Sequence, residues 1–537
     1  MFPVQFRHAL PCLTLMYPMR KLEKLRIIRN VGTSWIALGT NVLVGFFLSP
    51  FILHRLGDAA FGIWVLIFAI TGYYGLFDFG IRASIVRYVS KAKATGDLQY
   101  ASQIISTSLF TYTCIGAFSF LVTLGLSACL GSLFRIPPEF YSTARWLLLM
   151  VGTAVSLGFP LGISGGVLEG LQEYSVLNWT SIVSTLLRGV LIVLVLRRGH
   201  GLLTVALITV ALPVLTSIVR SVMATRLLPA PFGMKYVDRA TFREIASYSG
   251  TTMVMIVSAR LRFKSDSVII ATFLSSVAVT YFSIGARIVD YAGEVVESLA
   301  QIFVPMSSHS EARGEIDRLH KIFVVGNRFC AFTIFPICAI LVVLGRSVIE
   351  AWVGPKYVEK RYPVLLILLL STTLMLAQAA SGRVLLGMGK HRSWAIVMFV
   401  EGVVNIGLSI ALVRPFGIVG DAIGTAAPLA ATTILFLPWH LCRQLKIRMR
   451  TYLREAYLLP LTVCAPVILV LIAMKRWFVP HGYGQLAVHL AVAGTVYGLA
   501  MLWAFSSKWA MKLGPLHSPG LAFESPQPMI ETHSHEI

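Results

Sequence analysis

The sequence is short of charge. Only 13% of its 537 residues are Asp, Glu, Lys or Arg, about half the share of an ordinary soluble domain. Acidic residues are scarcest, 24 against 46 Lys and Arg. No polar stretch is long enough to hold an independent soluble domain, so an appended ATPase is excluded. The seven cysteines are scattered and lack zinc-ligand spacing, which argues against a disulfide scaffold or a metal centre. A Gly-rich stretch at 382–390 ends Gly387-Met388-Gly389-Lys390. Val384 and His391 stand where a phosphate-binding loop needs Gly and Ser or Thr, so that motif fails. No Ser/His/Asp arrangement is legible, and no cofactor is called for.

What the sequence has in quantity is apolar surface. Hydrophobic residues make up 56% of the chain and its mean hydropathy is +0.76. Runs of about 20 apolar residues, enough for a helix to cross a bilayer core, recur along its length. The expected fold is an all-α integral membrane protein with about fourteen transmembrane helices. Six fall in 31–222 and six in 248–437, separated by a Pro-containing basic linker at 223–247. A basic loop at 438–455 leads to two extra helices in 456–506, and a polar tail occupies 507–537.

The even number of spans puts both termini on one side. That side carries more than twice as many Lys and Arg in its loops as the other, and the excess marks it as cytoplasmic. One loop on this side, 168–178, dissents: it holds Glu169 and Glu173 and no basic residue. The net charge of +22 reads as basic loops facing anionic lipid; nucleic acid is not an expected partner, because no segment interleaves aromatic and basic residues. Residues 1–30 lack the clean apolar core of a signal peptide. Met19 is a second candidate start, followed by a basic segment suited to the membrane surface. His533 and His535 lie in the polar tail, where a flexible segment rather than a metal site is expected.

Two short runs recur at nearly the same offset. Leu56-Gly57-Asp58-Ala59-Ala60-Phe61 parallels Leu274-Ser275-Ser276-Val277-Ala278-Val279, and Leu168-Glu169-Gly170-Leu171 parallels Leu385-Leu386-Gly387-Met388. Together they indicate a six-plus-six duplication, which suits a transporter whose substrate site lies between repeats.

Charges within the spans single out candidate site residues, since each costs about 2.5–3.5 kcal/mol at a helix centre if left facing lipid. The seventh span carries Arg260, Arg262, Lys264 and Asp266, roughly 10 kcal/mol in all on that scale. Arg260 and Lys264 share one face; Arg262 and Asp266 share the opposite one and are placed to pair. The eighth span carries Arg287, Asp290, Glu294, Glu297 and Gln301, a stripe within about 80° of arc and about 21 Å of axis. Arg188 sits mid-span in the fifth helix, Glu401 inside the eleventh, and Asp78 and Arg82 are spaced as an i,i+4 pair at the inner end of the second. Arg328, near a helix end, is read as snorkelling. Basic groups dominate around Arg188, Arg260, Arg262 and Lys264, candidates for an anionic head group. Asp78, Asp266, Arg287, Asp290, Glu294, Glu297 and Glu401 are candidates for cavity charge or cation coupling.

The order of motifs along 30–505 resembles the polysaccharide transporter family, the O-antigen (Wzx-type) flippases of the multidrug/oligosaccharidyl-lipid/polysaccharide superfamily. The resemblance rests on Asn30, Trp35 and Ser49-Pro50, then Leu56-Gly57-Asp58-Ala59-Ala60-Phe61-Gly62-Ile63-Trp64 and Gly75-Leu76-Phe77-Asp78-Phe79-Gly80. It continues through Arg87, Gly96-Asp97, Asp266-Ser267-Val268-Ile269-Ile270, Tyr281, Pro305, Trp352-Val353-Gly354-Pro355-Lys356-Tyr357 and Pro415-Phe416-Gly417-Ile418-Val419-Gly420. It implies two six-helix bundles around a central cavity, with two further helices. It also implies a bacterial inner-membrane flippase for a polyprenyl-pyrophosphate-linked glycan, with membrane lipids and glycan polymerase or ligase machinery as partners. Asp78 and Asp266 match acidic positions of the family pattern. The rival readings are a cation-coupled multidrug extruder of the same superfamily and a membrane glycan polymerase or ligase; the latter wants a larger outer loop than any here.

Overall fold

A computed structural model describes residues 21–506. The expectations about Met19, residues 1–20 and the 507–537 tail, with its two histidines, lie outside the described residues. Among the described residues every regular element is helical, as an apolar chain in lipid requires, because backbone polar groups must be satisfied within the segment. The long helices are α1 (Lys21–Leu56), α4 (Leu98–Leu133), α5 (Tyr141–Gly170), α6 (Tyr174–Arg197), α7 (Leu202–Leu227), α8 (Arg239–Phe273), α9 (Ser276–Ala300), α11 (Ile316–Val353), α12 (Val358–Ala377), α14 (Arg392–Ala431), α17 (Leu459–Trp477) and α18 (Tyr483–Ser506). Shorter ones are α2 (Asp58–Gly72), α3 (Ile81–Thr95), α10 (Phe303–Ala312), α13 (Ala379–Gly387), α15 (Leu437–Gln444) and α16 (Met449–Leu453).

Among the described residues, eleven helical stretches are long and apolar enough to cross a membrane. The expected fourteen differ from these in three places. The charged α8 and α9 are helices but fall outside the eleven, and the eleventh and twelfth spans form one stretch, Arg392–Gln444. That stretch doubles back at Gly417, whose φ of 59° and ψ of −141° suit a residue without a side chain. The legs close tightly: a Cβ on Gly424 would lie 2.3 Å from the Ser409 hydroxyl oxygen, and one on Gly420 would lie 2.0 Å from the Leu412 carbonyl oxygen.

The second span is broken. After α2 the chain tightens into a 3-10 turn over Tyr73–Asp78, then passes through Phe79 and Gly80, both left-handed. The eighth span is shorter than expected. Helix α9 ends at Ala300, so Gln301 lies in the following turn and Pro305 belongs to α10.

The chain divides into two compact units. The first comprises residues 1–291, 352–368 and 392–432; the second comprises 292–351, 369–391 and 433–537. The first unit is organised inside out relative to a soluble protein. Helix α4 buries Ser106, Ser108, Tyr112, Gly116, Ser119 and Thr123 while exposing Phe110, Phe118 and Leu121. Small residues let neighbouring backbones approach where lipid tails are as apolar as leucine. A Cβ on Gly116 would stand 2.6 Å from the Ser156 carbonyl oxygen of α5. Asp97 and Asp238 cap α4 and α8 by accepting from the backbone N–H groups of Tyr100 and Thr241, each at 2.8 Å.

In the second unit α11 is the central element. Its Leu344 packs on Val467, Leu471 and Leu486 of α17 and α18, and Cys330 and Ile334 pack with Val296 and Ala380. The Asn327 amide donates to the Ser381 hydroxyl at 2.8 Å and the Tyr452 hydroxyl at 3.2 Å. Arg328 does not snorkel: it is 6% exposed and donates through Nε to the Glu455 carbonyl at 2.6 Å. A backbone acceptor within reach is a better partner for a guanidinium than distant water.

Candidate functional site

Most of the charges singled out in the sequence fall in the first unit, where they form two sets. The first set is buried between α8 and the two legs of α14. Arg262 and Glu401 are 2% and 3% exposed and form a salt bridge through Nη2 and Oε2. The Thr432 hydroxyl donates to the same carboxylate oxygen, and the Asn405 amide donates to the Arg262 carbonyl at 3.3 Å. Nearby, Asp266 accepts from the Thr425 hydroxyl at 2.8 Å. The Ser409 hydroxyl lies 3.3 Å from the Asp421 carbonyl. The Asp421 side chain is wholly buried, and neither of its carboxylate oxygens has a hydrogen-bond partner among the described residues.

The i,i+4 spacing of Arg262 and Asp266 therefore misidentified the partners: each reaches across to α14, Arg262 to Glu401 and Asp266 to Thr425. Glu401 is thereby assigned a role the sequence alone did not show, as counter-ion to Arg262. Asp421 was missed. Its signal was a carboxylate just after a Gly-Ile-Val-Gly turn, inside an apolar run.

The second set is partly exposed and continuous in its electrostatics. Arg188 of α6 lies within electrostatic reach of Arg287 of α9. The Arg287 Nη1 stands 3.9 Å from Asp290 Oδ2, with both side chains about half exposed. Arg287 also lies over the Tyr291 ring, 5.3 Å from its centroid. Lys264 lies within electrostatic reach of both Asp290 and Asp266, and Asp266 and Arg260 lie within such reach of Tyr73 in the broken second span. A Cβ on Gly75 would come within 3.0 Å of the Arg260 guanidinium, so the absent side chain there leaves room for the arginine. The structure thus brings Arg188, Arg260, Lys264 and Arg287 into one network with Asp266 and Asp290, while Arg262 is set apart in the buried pair.

Asp78 and Arg82 were expected to pair with each other. Instead Asp78 accepts from the Tyr112 hydroxyl, and Arg82 Nη2 pairs with Glu169 Oε1 at 2.6 Å. The left-handed Phe79 and Gly80 between them remove the helical geometry that i,i+4 pairing needs. Glu169, one of the two acids of the loop without basic residues, thereby gains a basic partner. Arg220 lies within electrostatic reach of Arg82 and Glu169 and donates through Nε to the Thr180 hydroxyl at 2.8 Å and through Nη2 to the Ser181 hydroxyl at 2.7 Å.

In the second unit, Glu297 pairs with Arg383 of α13, a residue noticed in the sequence only as part of the failed phosphate loop. Glu294 lies one turn before Glu297 on the same helix and is partly buried.

A buried cation-and-carboxylate core thus lies beside a partly exposed, basic-rich network in a multi-pass membrane protein. The comparisons with known proteins agree. Residues 27–311, over half of the chain, match the family model described as polysaccharide biosynthesis protein, and the chain belongs to that family. It is similar to a putative O-antigen transporter of Shigella flexneri, 21% identical over 418 residues that span 77% of this chain and 97% of that protein. A Bacillus subtilis uncharacterized membrane protein, EpsK, is also 21% identical, over 77% of this chain and 83% of its own. Among solved structures, the lipid II flippase MurJ in an inward closed conformation matches with a TM-score of 0.69 at 12% identity, over 90% of this chain and 100% of that one. An inward-facing multidrug-resistance transporter of the MATE family matches with a TM-score of 0.65 at 14% identity, over 78% and 99%. These structural likenesses show that the chain shares its fold with those transporters.

Proposed function

We propose that this transporter flips a polyprenyl-pyrophosphate-linked oligosaccharide, an O-antigen, exopolysaccharide or capsule repeat unit, across the bacterial cytoplasmic membrane by alternating access. The observation that carries the reading is the group Arg188, Arg260, Lys264 and Arg287, with Asp266 and Asp290 beside it, set in largely apolar helices. Partly exposed cations within a membrane protein offer a pyrophosphate the partners that lipid cannot, and guanidinium groups fork onto phosphate oxygens while keeping their charge. The glycan then travels through a wet interior while the isoprenoid stays in hydrocarbon. Arg262 supports the site from behind, held by Glu401. Both termini are cytoplasmic, the two six-helix halves 31–222 and 248–437 descend from one unit, and glycan polymerase or ligase machinery receives the product.

The buried oxygens supply a place for the coupling cation. Asp266, Asp421, Asn405, Ser409 and Thr425 gather around the α14 hairpin, and an unpartnered buried carboxylate is costly unless it is protonated or meets a cation. Energy from an ion gradient would thus enter beside the head-group network, through the electrostatic influence of Lys264 on Asp266.

The decisive experiment places a labelled polyprenyl-pyrophosphate oligosaccharide on one leaflet of vesicles containing the purified protein. Appearance on the other leaflet, above empty vesicles and lost on Arg260→Glu, supports the reading. Ion-driven uptake of a cationic dye without glycan movement would instead identify a multidrug extruder.

A further inference from the structure

Three turns of the first unit meet at one end of its helices: the α1–α2 turn at Gly57, the α8–α9 turn, and the segment from Gly354 into α12. Each is an odd-numbered connection, on the side opposite the basic loops. Asp58 is at their centre. Its Oδ1 accepts from the Tyr357 hydroxyl at 2.5 Å, its Oδ2 pairs with Lys356 Nζ at 3.2 Å, and its backbone carbonyl accepts from the Thr280 hydroxyl at 2.6 Å. One residue of α2 therefore ties together α9 and the chain that enters α12.

The surrounding contacts close the same seam. A Cβ on Gly62, one turn further along α2, would lie 1.8 Å from the Ser276 carbonyl oxygen, so the two backbones touch there. Arg361 is 1% exposed, and its guanidinium carbon lies over the rings of Tyr281 and Tyr357, 4.0 Å and 3.6 Å from their centroids. Its Nε and Nη2 have no hydrogen-bond partner among the described residues. Trp352 completes the seam through a vacancy in α1. Pro50 lacks the N–H that would bond the Phe46 carbonyl, and Trp352 Nε1 donates to that carbonyl instead, at 2.7 Å.

These contacts have the character of a catch. The contacts of Asp58 are polar, side-chain mediated and few, and the close backbone approach at Gly62 and Ser276 is one point of packing rather than the continuous small-residue packing of a permanent membrane seam. We propose that Asp58 is the keystone of a latch that holds the outer end of the first unit shut. On the alternating-access reading above, this latch must open before cargo leaves on the outer side. Breaking the carboxylate's contacts also loosens Arg361, because Tyr357 bonds Asp58 with its hydroxyl and lies against the Arg361 guanidinium with its ring.

The test needs no cargo, so it fails or succeeds independently of the flippase reading. In a cysteine-free background a single cysteine replaces Ser276, which is fully buried in the closed seam. Its labelling by a membrane-impermeant maleimide is followed in spheroplasts and in inverted vesicles, so that a reversed orientation shows as labelling in the second alone. Asp58→Ala is expected to speed labelling by about tenfold or more, the scale of a lost charge-assisted hydrogen bond. Tyr357→Phe, which keeps the ring, should speed it by a smaller factor and covers the case in which Asp58→Ala fails to fold. Lys356→Glu should also speed it, and the exchange Asp58→Lys with Lys356→Glu should slow it again. Labelling of folded Asp58→Ala and Tyr357→Phe at the parent rate, on both sides, overturns the latch.

Discussion

Arg262 of α8 and Glu401 of α14 form a salt bridge buried to within 3% of full exclusion from solvent. They stand 139 residues apart, and each would be prohibitively placed without the other. Removing one partner leaves an unpaired buried charge, at a cost of about 3–5 kcal/mol. Arg262→Gln or Glu401→Gln should therefore lower the melting temperature in detergent markedly. Replacing both by apolar residues of similar volume should recover most of the loss. Equal melting temperatures for the single variants and the parent would show that the pair is not closed in the membrane.

The partly exposed cations should behave differently. Arg188→Glu, Arg260→Glu and Lys264→Glu are each expected to cut transport of the labelled lipid-linked glycan by about tenfold or more, the value of one charge-assisted contact. Melting temperature and yield should stay near the parent, since these side chains are not sealed in the core. Arg188→Lys should be intermediate, because an ammonium keeps the charge without the planar fork. Full activity in all three reversals would remove the head-group assignment.

Asp421 and Asp266 carry the coupling proposal. Transport by the parent should respond to an imposed sodium or proton gradient, whereas Asp421→Asn and Asp266→Asn should respond to neither. The amide keeps the shape and removes the charge that a cation would meet. A gradient response retained in Asp421→Asn would move coupling elsewhere.

The hairpin in α14 makes a sharp packing prediction. Gly424→Ala drives a methyl to 2.3 Å from the Ser409 hydroxyl and 2.6 Å from its backbone, and should destabilise by about 1–3 kcal/mol. Gly407→Ala, on the same helix, meets nothing within 4 Å and should be neutral or stabilising by up to about 1 kcal/mol. Thermal unfolding of the two variants side by side checks this, and equal effects would contradict the close approach of the legs.

Charge inside an apolar helix was readable directly. Arg260, Arg262, Lys264 and Asp266 stand out in the seventh span because lipid penalises each of them, and the helical period placed Arg262 and Asp266 opposite Arg260 and Lys264. The structure keeps that division, burying the first two and leaving the others part-exposed. Partner choice was less readable. Spacing along one helix suggested Arg262 with Asp266 and Asp78 with Arg82, yet the first two reach α14, Asp78 meets Tyr112 and Arg82 meets Glu169. Arg383 with Glu297, and Arg328 with the Glu455 carbonyl, show the same failure. A local period registers only neighbours on the same helix, whereas a buried charge takes the best geometry available from any helix packed against it.

By itself the sequence determined the solvent, the all-helical class and the family, because each is written locally along the chain: apolar runs long enough to span, charges scarce within them, and motifs in order. Tertiary structure alone decided where the second span breaks, how Gly417 folds α14 back so that Asp421 faces Ser409, and that Asp58 collects Tyr357, Lys356 and Thr280. Those outcomes follow from contacts between residues distant in the chain, whose energies exist only once the helices are packed.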